Sequence, residues 1–282
     1  MIDIALLTVR ELVRRRFIAA ALAVTLLLAG LTAWGFSHLV HMHGHRGGSL
    51  SRVEVLAVSA IVLILIAYMF SFVLAVVGVF IGAPSVANDI ESGVLLPVLT
   101  RPLSRGALIT GKIVALGVVV CAYAAFAGAL EFAVVRAITG YTPPHPAQSV
   151  GYLCLLALCM LALTFALSTR LSAIASSVVA IVFFGLAWIA GITGSLGDFY
   201  GNDAVRNAGT ISQLLLPTDA MWREAVYRLE PAATLAMAGS GHGWPGPFFV
   251  LMPPPLSVVI WTIAWMFVVY AISVRSFALR DL

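Results

Sequence analysis

The sequence predicts an all-α integral membrane protein with six transmembrane helices, and three observations predict it. Hydrophobic residues make up 61% of the 282-residue chain and charged residues 10%. A soluble domain has roughly 45–50% and about 25%; the mean hydropathy here is +1.05. Six segments reach or approach the ~20 mostly apolar residues that a spanning helix needs: 17–39, 55–81, 113–138, 150–168, 173–196 and 256–274. The basic residues, finally, are placed unevenly. Six spans return both termini to one side. With that side cytoplasmic, Arg10, Arg14, Arg15, Arg16, Arg101, Arg105, Lys112, Arg170, Arg275 and Arg280 lie inside. Arg46, Arg52, Arg136, Arg206, Arg223 and Arg228 lie outside with most of the acidic residues, in keeping with the positive-inside rule. The whole chain, 1–282, reads as one transmembrane domain, with both termini cytoplasmic.

Residues 1–16 open it as an amphipathic interfacial helix. Ile2, Ala5, Leu6, Val9, Leu12 and Val13 recur at helical spacing, opposite Asp3, Arg10, Glu11, Arg14 and Arg15. The first apolar run is of spanning length and no Ala-x-Ala-like site follows it, so it reads as a retained span and not a cleaved signal. Spans four and five are separated only by Thr169-Arg170-Leu171, which predicts an antiparallel hairpin. The segment 140–149 carries Pro143, Pro144 and Pro146 and reads as a rigid extended turn. The longest outer loop is 197–255. Within it, 211–229 reads as one or two short amphipathic helices, with a break at Pro217 and a fresh cap at Thr218-Asp219. Residues 248–252, between prolines, are apolar enough to dip into the membrane. Gly78 and Gly82 form a GxxxG pair, and Ser172, Ala173, Ala175, Ser176, Ser177 and Ala180 line the start of span five; both suit close helix packing, first of all within one chain.

Chemistry-bearing motifs are few. The segment 84–112, between spans two and three, holds the chain's only lysine, Lys112, and opens with Asp89 and Glu91 and closes with Arg101 and Arg105. It reads either as a surface for a protein partner or as an interfacial loop with basic anchors. Gly106 to Lys112 has the spacing of a phosphate-binding loop, but Ile113 stands where Ser or Thr would hold Mg²⁺ and no strand precedes it. His38, His41, His43 and His45 are weak metal candidates: imidazoles suit zinc, copper or nickel, yet the loop is glycine-flanked and lacks cysteine or carboxylate ligands. Glu131 and Arg136 are charges within span three, readable as a structural ion pair or as part of a substrate pathway. Cys121, Cys154 and Cys159 lie in apolar runs without metal-type spacing. The arginines sit at span ends and form no soluble basic face, which argues against nucleic-acid binding. No residue set supports a catalytic centre.

Asp89-Ile90-Glu91-Ser92-Gly93-Val94-Leu95-Leu96, then Arg101-Pro102-Leu103-Ser104-Arg105, then Gly111-Lys112, resembles the membrane subunit of type-2 ABC exporters, the ABC-2 permease family. The six spans, the N-terminal amphipathic helix, Leu215-Leu216-Pro217-Thr218 and the C-terminal Phe277 to Leu282 extend the likeness over nearly the whole chain. Pro97 departs from it, falling where an uninterrupted helix is expected.

The resemblance implies a permease subunit of an ATP-driven exporter in a bacterial cytoplasmic membrane. It implies a cytoplasmic coupling helix after span two, and short extracytoplasmic helices before span six. Asp89, Glu91, Gly93, Arg101, Pro102, Arg105 and Lys112 would couple to a separate ABC ATPase, present in two copies. A second copy of this chain, or a homologous permease, would complete the dimer. ATP and Mg would sit on the ATPase, with no cofactor held by this chain. The competing function is an ATPase-driven signalling or scaffold subunit that acts on an envelope partner without moving a cargo.

Overall fold

The computed structural model describes residues 16–40, 52–91, 105–230, 246, 248, 250 and 252–279. Among the described residues all regular structure is helical. The helices are α1 (Arg16–Val40), α2 (Arg52–Glu91), α3 (Arg105–Thr139), α4 (Pro146–Ser168), α5 (Ala173–Tyr200), α6 (Asp203–Leu215), α7 (Thr218–Tyr227) and α8 (Leu256–Ala278). Six of them (all but α6 and α7) are long and apolar enough to cross a membrane. Helix is the form such runs must take, because a backbone in hydrocarbon can satisfy its N–H and C=O groups only internally.

Several boundaries differ from the sequence expectation. Helix α2 does not stop at 81 but continues through Pro84 to Glu91, and α3 begins at Arg105, before 113. The turn expected over 140–149 is shorter, because Pro146 is the first residue of α4. A proline at that position loses no intrahelical bond, since the first N–H groups have none to lose. Helix α5 runs on to Tyr200, and α6 starts at Asp203, earlier than 211. The break at Leu216-Pro217 is where expected, but the cap is not: Pro217 holds the cap position and Thr218 is already helical. Residues 1–15 of the expected interfacial helix and the segments 41–51, 92–104 and 231–245 lie outside the described residues.

Helix α4 is the centre, packed against α2, α3, α5, α7 and α8. With no water to expel, helices in lipid associate by close van der Waals fit, which favours small residues at the contact. The Gly78–Gly82 pair supplies that fit inside the chain. A Cβ on Gly78 would stand 2.7 Å from the Ala157 carbonyl oxygen, and one on Gly82 would stand 3.2 Å from Leu161. Helices α4 and α5 do form the expected hairpin, and its turn is tied to α8: Thr169 Oγ1 donates to Ser276 Oγ (2.9 Å), as does Arg170 Nε (2.7 Å). Of the small residues at the start of α5, Ser176 and Ala180 are buried.

The alternation of six long helices places Arg16, Glu91, Arg105 and Ala278 at one end of the bundle, here called the Lys112 end. The opposite end carries α6 and α7. There Gly201, at φ 67°, closes α5 in the left-handed region that a side chain would strain. Asn202 Oδ1 then accepts from the amides of Ala204 and Val205 to start α6. The reversal lays α6 back along α5 so tightly that a Cβ on Gly194 would meet Gly209 Cα at 2.9 Å. Two carbonyls in the last turn of α6, which have no intrahelical donor, accept from indoles of α8: Trp261 to Leu214 (3.1 Å) and Trp265 to Leu215 (2.9 Å).

Candidate functional site

At the Lys112 end, the last two turns of α2 and the first two of α3 are joined by one side chain. Pro84 inside α2 has no amide hydrogen and its ring crowds the preceding turn, so the helix lacks one backbone hydrogen bond at this point. Lys112 Nζ then donates to the Ser85 carbonyl (2.7 Å) and pairs with Asp89. The ammonium is largely buried, with 11% of its side chain exposed against 22% for Asp89. This lysine is therefore held within the chain. The phosphate-loop spacing that ends on it lies in continuous helix, where backbone amides bond along the axis and form no cradle. Glu91, by contrast, is exposed at the end of α2. Gly93, Arg101 and Pro102 lie outside the described residues, and Arg105 opens α3. A further tie holds α3 to α8, where the hydroxyls of Thr110 and Tyr270 meet at 2.6 Å. The end of α2 and the start of α3 are thus tied to one another, and α3 in turn to α8.

Glu131 and Arg136 do not pair. Five residues apart, they point about 140° from one another around α3. Arg136 is exposed, whereas Glu131 is 3% exposed, beside Thr32 of α1. Of the four histidines, His38 is described, stacked edge-on against Trp34 at 4.8 Å. His41, His43 and His45 lie outside the described residues, and no metal-holding cluster occurs among those described.

The other end holds a polar assembly that the sequence does not announce. Helix α7 packs among α2, α4, α5 and α8, with Thr218, Asp219, Trp222 and Glu224 buried. Asp219 pairs with Arg223 four residues on (2.7 Å) and accepts from Gln213 (3.0 Å), while Arg223 donates to the Gly191 carbonyl (2.8 Å). Gly191 lies nine residues, about 14 Å, back along α5 from Tyr200, so α7 is sunk between the long helices. Glu224 pairs with Arg228 (3.3 Å), and burial still holds its carboxyl above the usual range against the pull of that guanidinium. Glu230 accepts from the Val250 amide (3.1 Å). Burial pushes its carboxyl up to about 7, although that hydrogen bond pulls the other way. Tyr141 donates to the Leu229 carbonyl (2.8 Å), and its phenol is pushed up to about 12 by burial and then by the charge of Glu230.

A family model described as "ABC-2 family transporter protein" matches residues 3–282. The chain belongs to that family. No curated protein matches it as a relative. It is therefore the permease subunit of an ABC transporter, a multi-pass membrane protein, and not the ATPase. Membership implies a bacterial inner membrane, an ABC ATPase as partner and, usually, a dimer. In the permease, sequence reasoning singled out Asp89 and Lys112 as contacts for a partner, and the structure brings them to each other. It missed the Asp219–Arg223 pair. The one available signal was their i,i+4 spacing of opposite charges on a short helix.

Proposed function

We propose that the permease is the membrane half of an ATP-driven exporter, with the Lys112 end in the cytoplasm. The segment from Glu91 to Arg105 seats on the ATPase, and Glu91, Gly93, Arg101, Pro102 and Arg105 supply its contact residues. Asp89 and Lys112 have a different task in this reading: they fix the segment's two helical roots to one another. The Asp89–Lys112–Ser85 junction carries the proposal, because a hinge at Pro84 would otherwise let α2 bend without moving α3. ATP and Mg belong to the ATPase, two copies of which serve a dimer of permeases, with this chain as both halves in a homodimer. ATP must bind the closed arrangement more tightly than the open one, since a ligand shifts an equilibrium only by its differential affinity. A full switch from 1:99 to 99:1 takes about 5.5 kcal/mol.

The test is reconstitution of permease and ATPase in lipid nanodiscs. Glu91→Lys is expected to weaken co-purification of the ATPase. Lys112→Met is expected to leave co-purification intact while permease-stimulated ATP turnover falls about tenfold, the effect of ~1.4 kcal/mol of lost coupling. Full stimulation in Lys112→Met, or no ATPase recovered with the wild type, overturns the proposal. Stimulation without cargo movement would identify the scaffold function instead.

A further inference from the structure

Between α1, α2 and α3 lies a cavity of about 410 Å³ that the coupling reading does not use. Its walls are apolar, with Phe36 of α1 and Ile66 and Phe70 of α2 among them, and its polar members are Glu131 and Thr32. Glu131 is 3% exposed and its Oε2 has no hydrogen-bond partner. Among the described side chains, no basic one lines the cavity; Arg136 lines a separate cavity, with Pro143 and Pro146. The mouth faces sideways, out of the bundle. Leu31 and Met69 on its rim are 56% and 52% exposed, and a Cβ built on Gly35 meets nothing within 4 Å. Eight residues separate Glu131 from the end of α3, so the carboxyl sits about 12 Å along the helix from that end.

A buried carboxyl with an unmet oxygen needs a cation or a donor from elsewhere, and this one borders a space of the size small-molecule sites have, about 300–1,000 Å³. We propose that this cavity binds a lipophilic ammonium, an apolar body with one protonated amine, entering laterally from the membrane. The amine donates to Glu131 Oε2 and the body fills the apolar walls. Thr32 lines the same cavity beside the carboxyl. A neutral amphiphile offers Oε2 no charge-assisted hydrogen bond, and an anionic one offers it no cation.

The test is equilibrium binding to the full-length chain in nanodiscs of zwitterionic lipid, without ATPase or nucleotide, so its outcome is independent of coupling. The probes are 1-pyrenemethylammonium and the neutral 1-pyrenemethanol, read by protein-dependent, saturable energy transfer from tryptophan. The wild type is expected to bind the ammonium at least about tenfold more tightly than the alcohol, the worth of one charge-assisted hydrogen bond. Glu131→Gln, similar in shape but uncharged, should abolish that preference at an unchanged melting temperature. Gly35→Leu keeps Glu131, adds its side chain into open space and should weaken both probes. Equal binding of the two probes, no saturable binding by the wild type, or a preference that survives in Glu131→Gln overturns the proposal. If Glu131→Gln does not fold, Gly35→Leu decides: unaltered affinities then place the probe elsewhere and refute the site.

Discussion

Lys112 shows how one side chain can change meaning between sequence and fold. Its charge is less exposed than that of Asp89, and removing one partner of a buried pair strands the more buried charge. Asp89→Asn should therefore destabilise the permease more than Lys112→Met, by about 2 kcal/mol against about 1. The double variant should be less destabilised than the sum of the two, as read by thermal unfolding in detergent. Glu230 sets a second expectation. Its folded-state pKa, about 7, lies above the 4.5 of a free carboxyl, so the folded state binds the extra proton between those values. That stability is fully present below pH 4.5 and is lost as pH rises through 7, at most about 3 kcal/mol. Melting temperature should fall from pH 5 to 8 in the wild type and fall less in Glu230→Gln, which keeps the upward shift of Glu224 but loses that of Glu230.

At the level of elements, the α5–α6–α7 unit is organised by where α5 lacks side chains. Its buried positions are Ser176, Ala180, Ala187, Gly191, Gly194 and Gly197, and this small-residue face admits a charged helix and a second backbone at contact distance. Gly191→Ala places a methyl group on the Asp219 carboxylate. Because Asp219 is fixed by Arg223 and Gln213, it cannot move aside cheaply, and the substitution should cost about 2 kcal/mol. Gly185→Ala, with nothing within 4 Å of the new Cβ, should be neutral or raise the melting temperature slightly through better helix propensity. An equal loss in both variants would mean that the glycines act through helix flexibility and not through this contact.

For the whole molecule, large apolar side chains face outward along α1, α5 and α8: Leu26 and Leu27, Val178 and Leu186, Phe267 and Ile272 are all exposed. In water such a surface would aggregate, but in a bilayer it is solvated. The cysteines test this. Cys121 and Cys154 are half-buried and Cys159 is buried, all within spanning helices. A charged, impermeant maleimide should label none of the three in membranes, an apolar maleimide should reach Cys121 or Cys154 first, and unfolding should expose all three. Labelling of the native protein by the charged reagent would mean that water reaches these helices.

The sequence by itself determined the helices, the number of candidate spans, the α4–α5 hairpin, the break at Pro217 and the role of Gly78 and Gly82. Those properties follow from local hydropathy, proline geometry and side-chain size. For Glu131 and Arg136 the sequence left an ion pair open, and the structure separates them, because five residues do not share a helix face. Only the tertiary structure decided that Lys112 closes on Asp89, 23 residues away, that a charged helix is sunk between α4 and α5, and that Glu131 borders a cavity. Depth and pairing depend on which distant helices meet, and a one-dimensional pattern carries the type and length of each helix but not its neighbours.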